Sequence, residues 1–466
     1  MHRYRLSLFI FRRDLRLEDN SGLNAALQLS ERVIPGFILD PRQIEPHPYR
    51  SLPGLRFMRQ ALADLQKQCL AAGGELALFH GDPCGVIREL FAKQKIEAVF
   101  INRDYTPFSR RRDDDEIAET CRELGIVLHV LPDALLNDPE EVLKSDGASY
   151  KVFTAFYQRA RQIPVDLPQA LAGSNFMNLD SGVLLERCVL PDEQTPNVIP
   201  GGRREALALL NQIARLADYQ QTRDYPALVA TSKLSAYLKF GCCSAREAYY
   251  AILTQLGGEH PLLRQLYWRD FFTHIAYHFP FVFGRAFVEK FEAVEWDDHR
   301  DRFEAWSEGK TGFPIVDAGM RELNETGFMH NRVRMIVASF LVKDLHIDWR
   351  RGERYFARHL VDYDPCVNNG NWQWAASTGC DAQPYFRIFN PWTQQQKFDP
   401  DCRYITRWLP KLRQFPAETI HRWDKKHSVC GYPAPIVDHV QESRTAKARF
   451  LKAAKTPIDP ISKQDE

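Results

Sequence analysis

The spacing of apolar residues changes once along this chain, and that change constrains the fold more than any other feature. Residues 5–131 alternate short apolar runs (RLSLFIF, RVIPGFIL, ELALFH, EAVFIN and IVLHVL) with amphipathic stretches such as LRFMRQALADLQKQCLAAGG and RRRDDDEIAETCRELG. Continuous apolar strands separated by helices predict a parallel sheet with helices on both faces, a Rossmann-like α/β arrangement. From residue 205 the apolar period is helical, in REALALLNQIARLADY, SAREAYYAILTQL, PLLRQLYWRDFFTHIAYHF, PIVDAGMRELNETG and NRVRMIVASFLVKDL. Between the two regimes Pro164, Pro168, Pro191, Pro196, Pro200 and the pair Gly201-Gly202 break any regular pattern. One helical segment, YKVFTAFYQRAR, interrupts that long connection. The expected organisation is an α/β domain over 1–131, a connector over 132–204 and an all-α domain over 205–466.

Charge and motif content exclude several classes. With 61 basic and 60 acidic side chains, the chain is no wholly basic binder, although a local basic groove is compatible with that balance. The start, MHRYRLSLFIFRRDLR, is too short in apolar residues for a signal segment, and no run of eighteen apolar residues occurs. Ten cysteines are scattered without any C-x-x-C, which predicts reduced thiols in a cytoplasmic protein and no metal site. His274 and His278 are four apart but lack the Glu of H-E-x-x-H. The run DDDE at 113–116 reads as a solvated helix start, where acidic groups suit the dipole. FRRDLRLEDN stands after the first strand in place of G-x-G-x-x-G, and neither G-x-S-x-G nor a Walker loop is present. A ligand of the α/β domain would sit at the carboxyl ends of its strands, where Arg12, Asp40, Asn102 and Asp104 fall.

The aromatic and polar residues of the helical half carry the functional signal. All nine tryptophans lie between 268 and 423. The stretch 362–391, DYDPCVNNGNWQWAASTGCDAQPYFRIFNP, sets indoles beside carboxylates and amides, as the wall of a pocket for a large, flat, polar molecule would. TSKLS at 231–235 places hydroxyls and backbone N–H groups at a helix start, a seat for phosphate. Tyr219 and Arg223 precede it, Trp268 and Arg269 share the next helix, and Asn331, Arg332, Arg334 and Met335 share a helix start.

Taken with FRRDLRLEDN, YKVFTAF, RDYPALVATSKLSAYL, WRDFF, EGKTGFPIVDAGMRELNETGFMHNRVRM, ASFLVKDLHIDWRRGERYF and NNGNWQWAASTG, these motifs make the chain resemble the cryptochrome/photolyase family over nearly its whole length. The branch it resembles most is the class I cyclobutane pyrimidine dimer photolyases of bacteria. The resemblance implies an N-terminal antenna domain and a helical domain that folds FAD into a U, active in its reduced form. It places Tyr219, Thr231, Ser232, Lys233, Leu234 and Ser235 on the FAD phosphates and ribityl chain. Arg269, Arg334, Asp362, Asp364 and Asn368 surround the flavin ring, with Asn368 opposite N5. Trp296, Trp349 and Trp372 match the indole chain that brings electrons in from the surface. Trp268 and Trp374 match the lesion walls, with Asn331 and Met335 facing the lesion and Arg223, Arg332 and Arg387 on DNA phosphates. The implied partner is damaged DNA carrying a pyrimidine dimer, met by a monomer.

The chain departs from the pattern at several positions. Gln265 stands where class I enzymes usually carry Glu. An amide there both donates to and accepts from a thymine but supplies no carboxyl proton. Gln also resembles (6-4) photolyases and animal cryptochromes, yet the (6-4) enzymes place His where this chain has Asn331 and Met335. Cyclobutane dimers are therefore the expected lesion, with a (6-4) photolyase or a flavin photoreceptor as the alternative. Asn371 replaces a common Gly, and Leu262 a Trp of some relatives. Phe108-Ser109 and Phe283-Gly284 replace the pairs of folate-binding relatives, leaving His47, whereas Asp104 in NRDYTPF and Lys239 in LKFG resemble deazaflavin binders. The expected antenna is 8-hydroxy-5-deazaflavin ahead of methenyltetrahydrofolate.

Overall fold

A computed structural model of the chain describes residues 2–185, 199–381, 387–426 and 431–455. They pack as two compact units. The first takes in Met1–Tyr219, Thr231–His278 and Val361–Cys366; the second takes in Gln220–Ala230, Phe279–Leu360 and Val367–Glu466.

In the first unit, β1 (Tyr4–Phe11), β2 (Ser30–Leu39), β3 (Ala77–His80), β4 (Ala98–Asn102) and β5 (Val127–Leu131) form one parallel sheet in the order β3-β2-β1-β4-β5. The five apolar runs read from the sequence are these five strands. Central β1 buries Leu8, Phe9, Ile10 and Phe11 completely or nearly so, as a strand covered on both faces must. The helices that cross from β1 to β2, β2 to β3 and β3 to β4 begin on side-chain caps. Asn20 accepts from the Leu23 N–H, Ser51 from Gly54 and Asp82 from Gly85, the latter two followed by a proline that fits the first turn. The strand order reverses between β1 and β4, which opens a crevice at their carboxyl ends.

The loop after β1 fills that crevice with its own charges. Arg12 donates to Asp113 and to the Asn102 carbonyl. Arg13 donates to Asp104 (3.1 Å), to Asp364 and to the Lys239 carbonyl (3.1 Å). Arg16, 1% exposed, donates to Asp133 (2.6 Å) and the Gly241 carbonyl (3.3 Å), while Arg246 reaches Asp133 (2.9 Å) and Asp19 (3.0 Å). The helix Ser235–Phe240 ends on Gly241 at φ +65°, and a Cβ there would lie 2.1 Å from the Arg13 carbonyl oxygen. Glycine is required by conformation and by space at once. Asp113 corrects the reading of DDDE as a solvated start. It is buried, paired with Arg12 and Arg112 (2.8 Å), and lies in a π-helical turn, Arg111–Ile117. A local charge run could not show that its first member meets an arginine a hundred residues earlier.

In the second unit the helices Pro314–Thr326, Asn331–Lys343, Trp349–His359 and Arg403–Trp408 surround a core that includes Trp306, Phe340, Leu341 and Ile405. Buried Asp317 ties the GKTGFP turn together, accepting from the Thr311 N–H (2.7 Å), the Thr311 hydroxyl (2.6 Å), the Gly312 N–H (3.0 Å) and the Tyr432 hydroxyl (2.5 Å). The basic helix His439–Lys455 docks through His439–Asp344 (2.5 Å), Glu442–His346 (2.8 Å), Arg449–Asp297 (2.7 Å) and Lys452–Glu295 (2.6 Å), with Phe450 inserted beside Val294 and Trp296. Among the described residues, no helix is long and apolar enough to cross a membrane.

Asp133 holds two arginines in a buried site. Asp133→Asn leaves buried Arg16 without its ion-pair partner, while Arg246 keeps Asp19, and is expected to lower the stability of the first unit by about 3–5 kcal/mol, read from urea unfolding followed by far-UV circular dichroism. A loss under 1 kcal/mol would refute the role assigned to this pair.

Candidate functional site

The stretch 231–235, read from the sequence as a seat for phosphate, is a loop followed by one short helix of the first unit. Thr231 and Ser232 are half-buried, Lys233 is exposed at φ +56°, Leu234 is buried, and Ser235 opens the helix Ser235–Phe240. The Ser232 hydroxyl accepts weakly from the Leu234 N–H (3.4 Å), and the Thr231 carbonyl accepts from Arg215 (3.3 Å). Hydroxyls and backbone N–H groups crowded onto a left-handed bend are a donor set suited to phosphate oxygens. Tyr219 is buried with its ring 6.2 Å from His260.

The same unit brings together residues assigned to two chromophores. Arg13 bridges Asp104 and Asp364, and its Nε donates to the carbonyl of Lys239. Burial alone would raise the Asp104 carboxyl, but Arg13, Arg12 and Arg112 outweigh it and hold it well below the usual carboxylate range. Asp104 also accepts from the Ser109 hydroxyl (2.8 Å) and the Thr106 N–H (3.1 Å). Burial, with Arg13 nearby, pushes the Lys239 ammonium down to about 7. The cavity lined by Arg12, Arg13, Asn102, Asp104, Ala134 and Arg269 measures about 20 Å³, room for roughly one water. The carboxyl-end residues read from the sequence as ligand contacts are engaged with protein groups: Arg12, Asp40 and Asp104 in ion pairs and Asn102 in hydrogen bonds to Asp14 and Asn20. Arg269 is half-buried and donates to the Ala134 carbonyl (2.7 Å) and Asp270 (3.3 Å), whose own carboxyl burial pushes up to about 6. Asp362 is buried, Gln265 and Trp268 are half-buried, and Trp268 stacks on Phe153. His274 lies among aromatic rings with its imidazole pushed down to about 3 by burial, a neutral core histidine.

The second unit holds the indoles assigned to electron transfer. Trp349 and Trp372 are buried and Trp296 is half-buried, its ring 6.0 Å from Phe450. Trp372 meets Phe356 at 4.9 Å and Trp306 at 6.3 Å. Gly352 makes that packing possible, since a Cβ there would lie 2.2 Å from Trp372 Cη2. In the helix Pro365–Ala376, Asn368 is buried and its Nδ2 donates to the Glu353 carbonyl (3.2 Å), so its Oδ1 is left as acceptor. Asn369 donates to Glu353 Oε1 (3.2 Å) and the Val282 carbonyl (3.0 Å), and Gln373 to the Val282 and Arg285 carbonyls (both 3.0 Å). Asn371 is exposed and donates to the Val367 carbonyl (2.8 Å), so the helix accepts it in place of Gly without strain. Arg334 is half-buried, its Nε donating to the Met329 carbonyl (2.8 Å) and its guanidinium 5.3 Å from the Phe328 ring. The Asn331 amide lies 3.8 Å from the Met335 sulfur. Half-buried Trp374 has the exposed Arg387 guanidinium 5.9 Å from its ring. Arg332 pairs with Asp224 (2.8 Å) and covers Phe398, and Arg223 adjoins that aspartate in the chain.

Three residues of these clusters were not singled out from the sequence. Arg13 was hidden in a charged motif, Phe153 in a connector helix, and Glu353 among the charges of WRRGERYF. Only YKVFTAF, with aromatic residues three apart, carried a usable signal.

Residues 7–172 match the family model described as DNA photolyase, and residues 262–452 match that of the FAD binding domain of DNA photolyase. The deoxyribodipyrimidine photo-lyase of a Synechococcus strain is 39% identical over 96% of this chain and 97% of its own. A crystal structure of an archaeal photolyase from Sulfolobus tokodaii with two FAD molecules superposes with a TM-score of 0.88 at 44% identity, covering 96% of this chain and all of that one. The cryptochrome of Synechocystis superposes at 0.85 with 30% identity, covering 96% of this chain and 99% of its own. The chain belongs to the DNA photolyase family.

Burial pushes the Glu353 carboxyl from an ordinary 4.5 up to about 7. The folded state then binds a proton that the unfolded state has released, so stability falls as pH rises from 4.5 to 7. Glu353→Gln is expected to be more stable than wild type by roughly 1–3 kcal/mol at pH 8, with the difference fading below pH 4.5. Thermal unfolding at both pH values checks this, and a pH-independent difference would rule it out.

Proposed function

We propose that this chain is a light-driven DNA-repair lyase that binds DNA carrying a cyclobutane pyrimidine dimer and restores the two pyrimidines. One observation carries the reading: likeness to a deoxyribodipyrimidine photo-lyase runs the length of both chains, 96% of this one and 97% of the relative, so it is not borrowed from one domain. In functional terms the division is an antenna domain over 1–131, a connector over 132–204 and an FAD- and DNA-binding region over 205–466, in a cytoplasmic monomer.

The residues present fit FAD. Hydroxyls of Thr231, Ser232 and Ser235, with the backbone of Lys233 and Leu234 and the ring of Tyr219, are suited to the diphosphate and ribityl chain. Arg269, Arg334, Asp362, Asp364 and Asn368 are suited to the flavin ring, with the Asn368 amide already oriented by the Glu353 carbonyl. Bound and reduced, FAD supplies the photoexcited electron that opens the cyclobutane ring. Trp296, Trp349 and Trp372 carry electrons inward, from a half-buried indole to two buried ones.

On the DNA side, Arg223, Arg332 and Arg387 meet phosphates, which fixes register without reading sequence. The dimer leaves the helix readily because it already stacks and pairs poorly. Trp268 and Trp374 then hold it by stacking, worth roughly 1–3 kcal/mol per base, while Gln265, Asn331 and Met335 line its edges. For the second chromophore, the Asp104 and Lys239 motifs favour 8-hydroxy-5-deazaflavin over methenyltetrahydrofolate. The Sulfolobus tokodaii relative, with its two FAD molecules, makes a flavin the competing occupant. The absorption spectrum of protein made in a deazaflavin-producing host decides among them.

The cryptochrome likeness supports a second reading, a flavin photoreceptor without repair activity. Reduced protein illuminated with a thymine-dimer oligonucleotide is expected to return monomeric thymines. No light-dependent return from FAD-loaded protein would leave the photoreceptor reading, and return from a (6-4) substrate alone would change the lesion. Gln265→Glu is expected to raise the quantum yield of dimer splitting. Trp372→Phe is expected to abolish photoreduction of the oxidised protein by an external thiol while leaving repair by chemically reduced protein intact; unchanged photoreduction would remove Trp372 from the electron path.

A further inference from the structure

Trp268 does not stand alone on its helix. Within the first unit, Phe153, the first residue of the helix Phe153–Ala160, lays its ring on the Trp268 indole at a centroid distance of 3.5 Å and an interplanar angle of 6°. Arg264, one turn before Trp268 in the helix Leu263–His278, sets its guanidinium 5.1 Å from the Phe153 ring and 5.4 Å from Tyr157. Phe153 therefore meets a cation and an indole from successive turns of one helix, and is itself only 1% exposed. Phe271 closes the group edge-on, 5.6 Å from Phe153 and 5.8 Å from Trp268.

Ordinary core packing does not account for this arrangement. Aromatic pairs prefer offset or edge-to-face geometry with centroids about 4.5–7 Å apart, because two π faces repel. The Phe153–Phe271 and Trp268–Phe271 pairs follow that preference, at 78° and 82°. The Phe153–Trp268 pair does not. A guanidinium near the Phe153 ring draws on its π density and relieves the repulsion, so the cation and the face-to-face stack belong together. Arg264 is exposed and, among the described residues, no carboxylate pairs with it. Trp268, by contrast, is half-buried, and a ring that must receive a flat ligand gains affinity if its rotamer is settled beforehand.

We propose that Phe153, steadied by Arg264, is the positioning residue that holds Trp268 ready to stack on the extruded dimer, and that this contact sets part of the preference for damaged over undamaged DNA. The proposal rests on the lesion role given to Trp268 above.

The test uses the FAD-loaded full chain and compares Kd for a thymine-dimer oligonucleotide with that for the same undamaged sequence. Phe153→Leu is expected to lower the ratio of the two affinities by about three- to tenfold, Arg264→Gln by about two- to threefold, and Phe153→Tyr, which keeps the stack, to leave it unchanged. The flavin absorption stays as in wild type. Protein labelled with 5-fluorotryptophan, its Trp268 resonance assigned through Trp268→Phe, shows that resonance moving in Phe153→Leu but not in Phe153→Tyr. An unmoved resonance, or a moved resonance with an intact affinity ratio, overturns the proposal. If Phe153→Leu does not fold, the exposed Arg264→Gln variant decides by the same two readouts. Trp268→Ala with the wild-type ratio overturns the lesion role of Trp268 and this proposal with it, whereas an impaired Trp268→Ala beside an unimpaired Phe153→Leu overturns the positioning role alone.

Discussion

Three arginines in one loop, Arg12, Arg13 and Arg16, determine how the first unit is assembled. Removing guanidinium groups from water costs several kcal/mol each unless carboxylates and carbonyls replace the lost hydration. The loop meets that cost with Asp113, Asp104, Asp364 and Asp133, and with the carbonyls of Asn102, Lys239 and Gly241. Those partners come from β4 and the loop and helical turn after it, from the loop after β5, from the end of the helix Ser235–Phe240 and from the segment just before Asn368. A strand-end loop of this kind stands where a glycine-rich loop stands in other parallel sheets, and it fills the crevice with protein charges.

The sheet was legible because strands buried on both faces have a composition that nothing else in the chain imitates. All five strands were found from apolar runs, with ends within two or three residues. The ion pairs were not legible, since a motif such as FRRDLRLEDN shows charges but not which distant charges neutralise them. The same limit explains Asp113, read as solvated and found buried, and Arg332, read only as a phosphate contact and found also on Asp224.

The assignments to cofactor and lesion have another origin. Indoles, amides and hydroxyls at fixed spacings are uncommon enough to be read from a family likeness. What that likeness does not carry is the layer behind them. Glu353 behind Asn368, Gly352 behind Trp372 and Phe153 behind Trp268 are generic residue types whose importance is visible only as contacts. A main-chain carbonyl that accepts from an amide, a missing side chain and a stacked ring are three different physical means of orienting a side chain.

The docking of the helix His439–Lys455 bears on the order in which buried contacts form during synthesis. Asp344 and His439 are separated by 95 residues, His346 and Glu442 by 96. On the ribosome, chain bearing Asp344, His346 and Trp296 emerges well before the helix that pairs with the first two and covers one side of the third. Until that helix arrives, the indole of Trp296 lacks the Phe450 ring beside it and is open to oxidants, and two groups destined for burial stand in water.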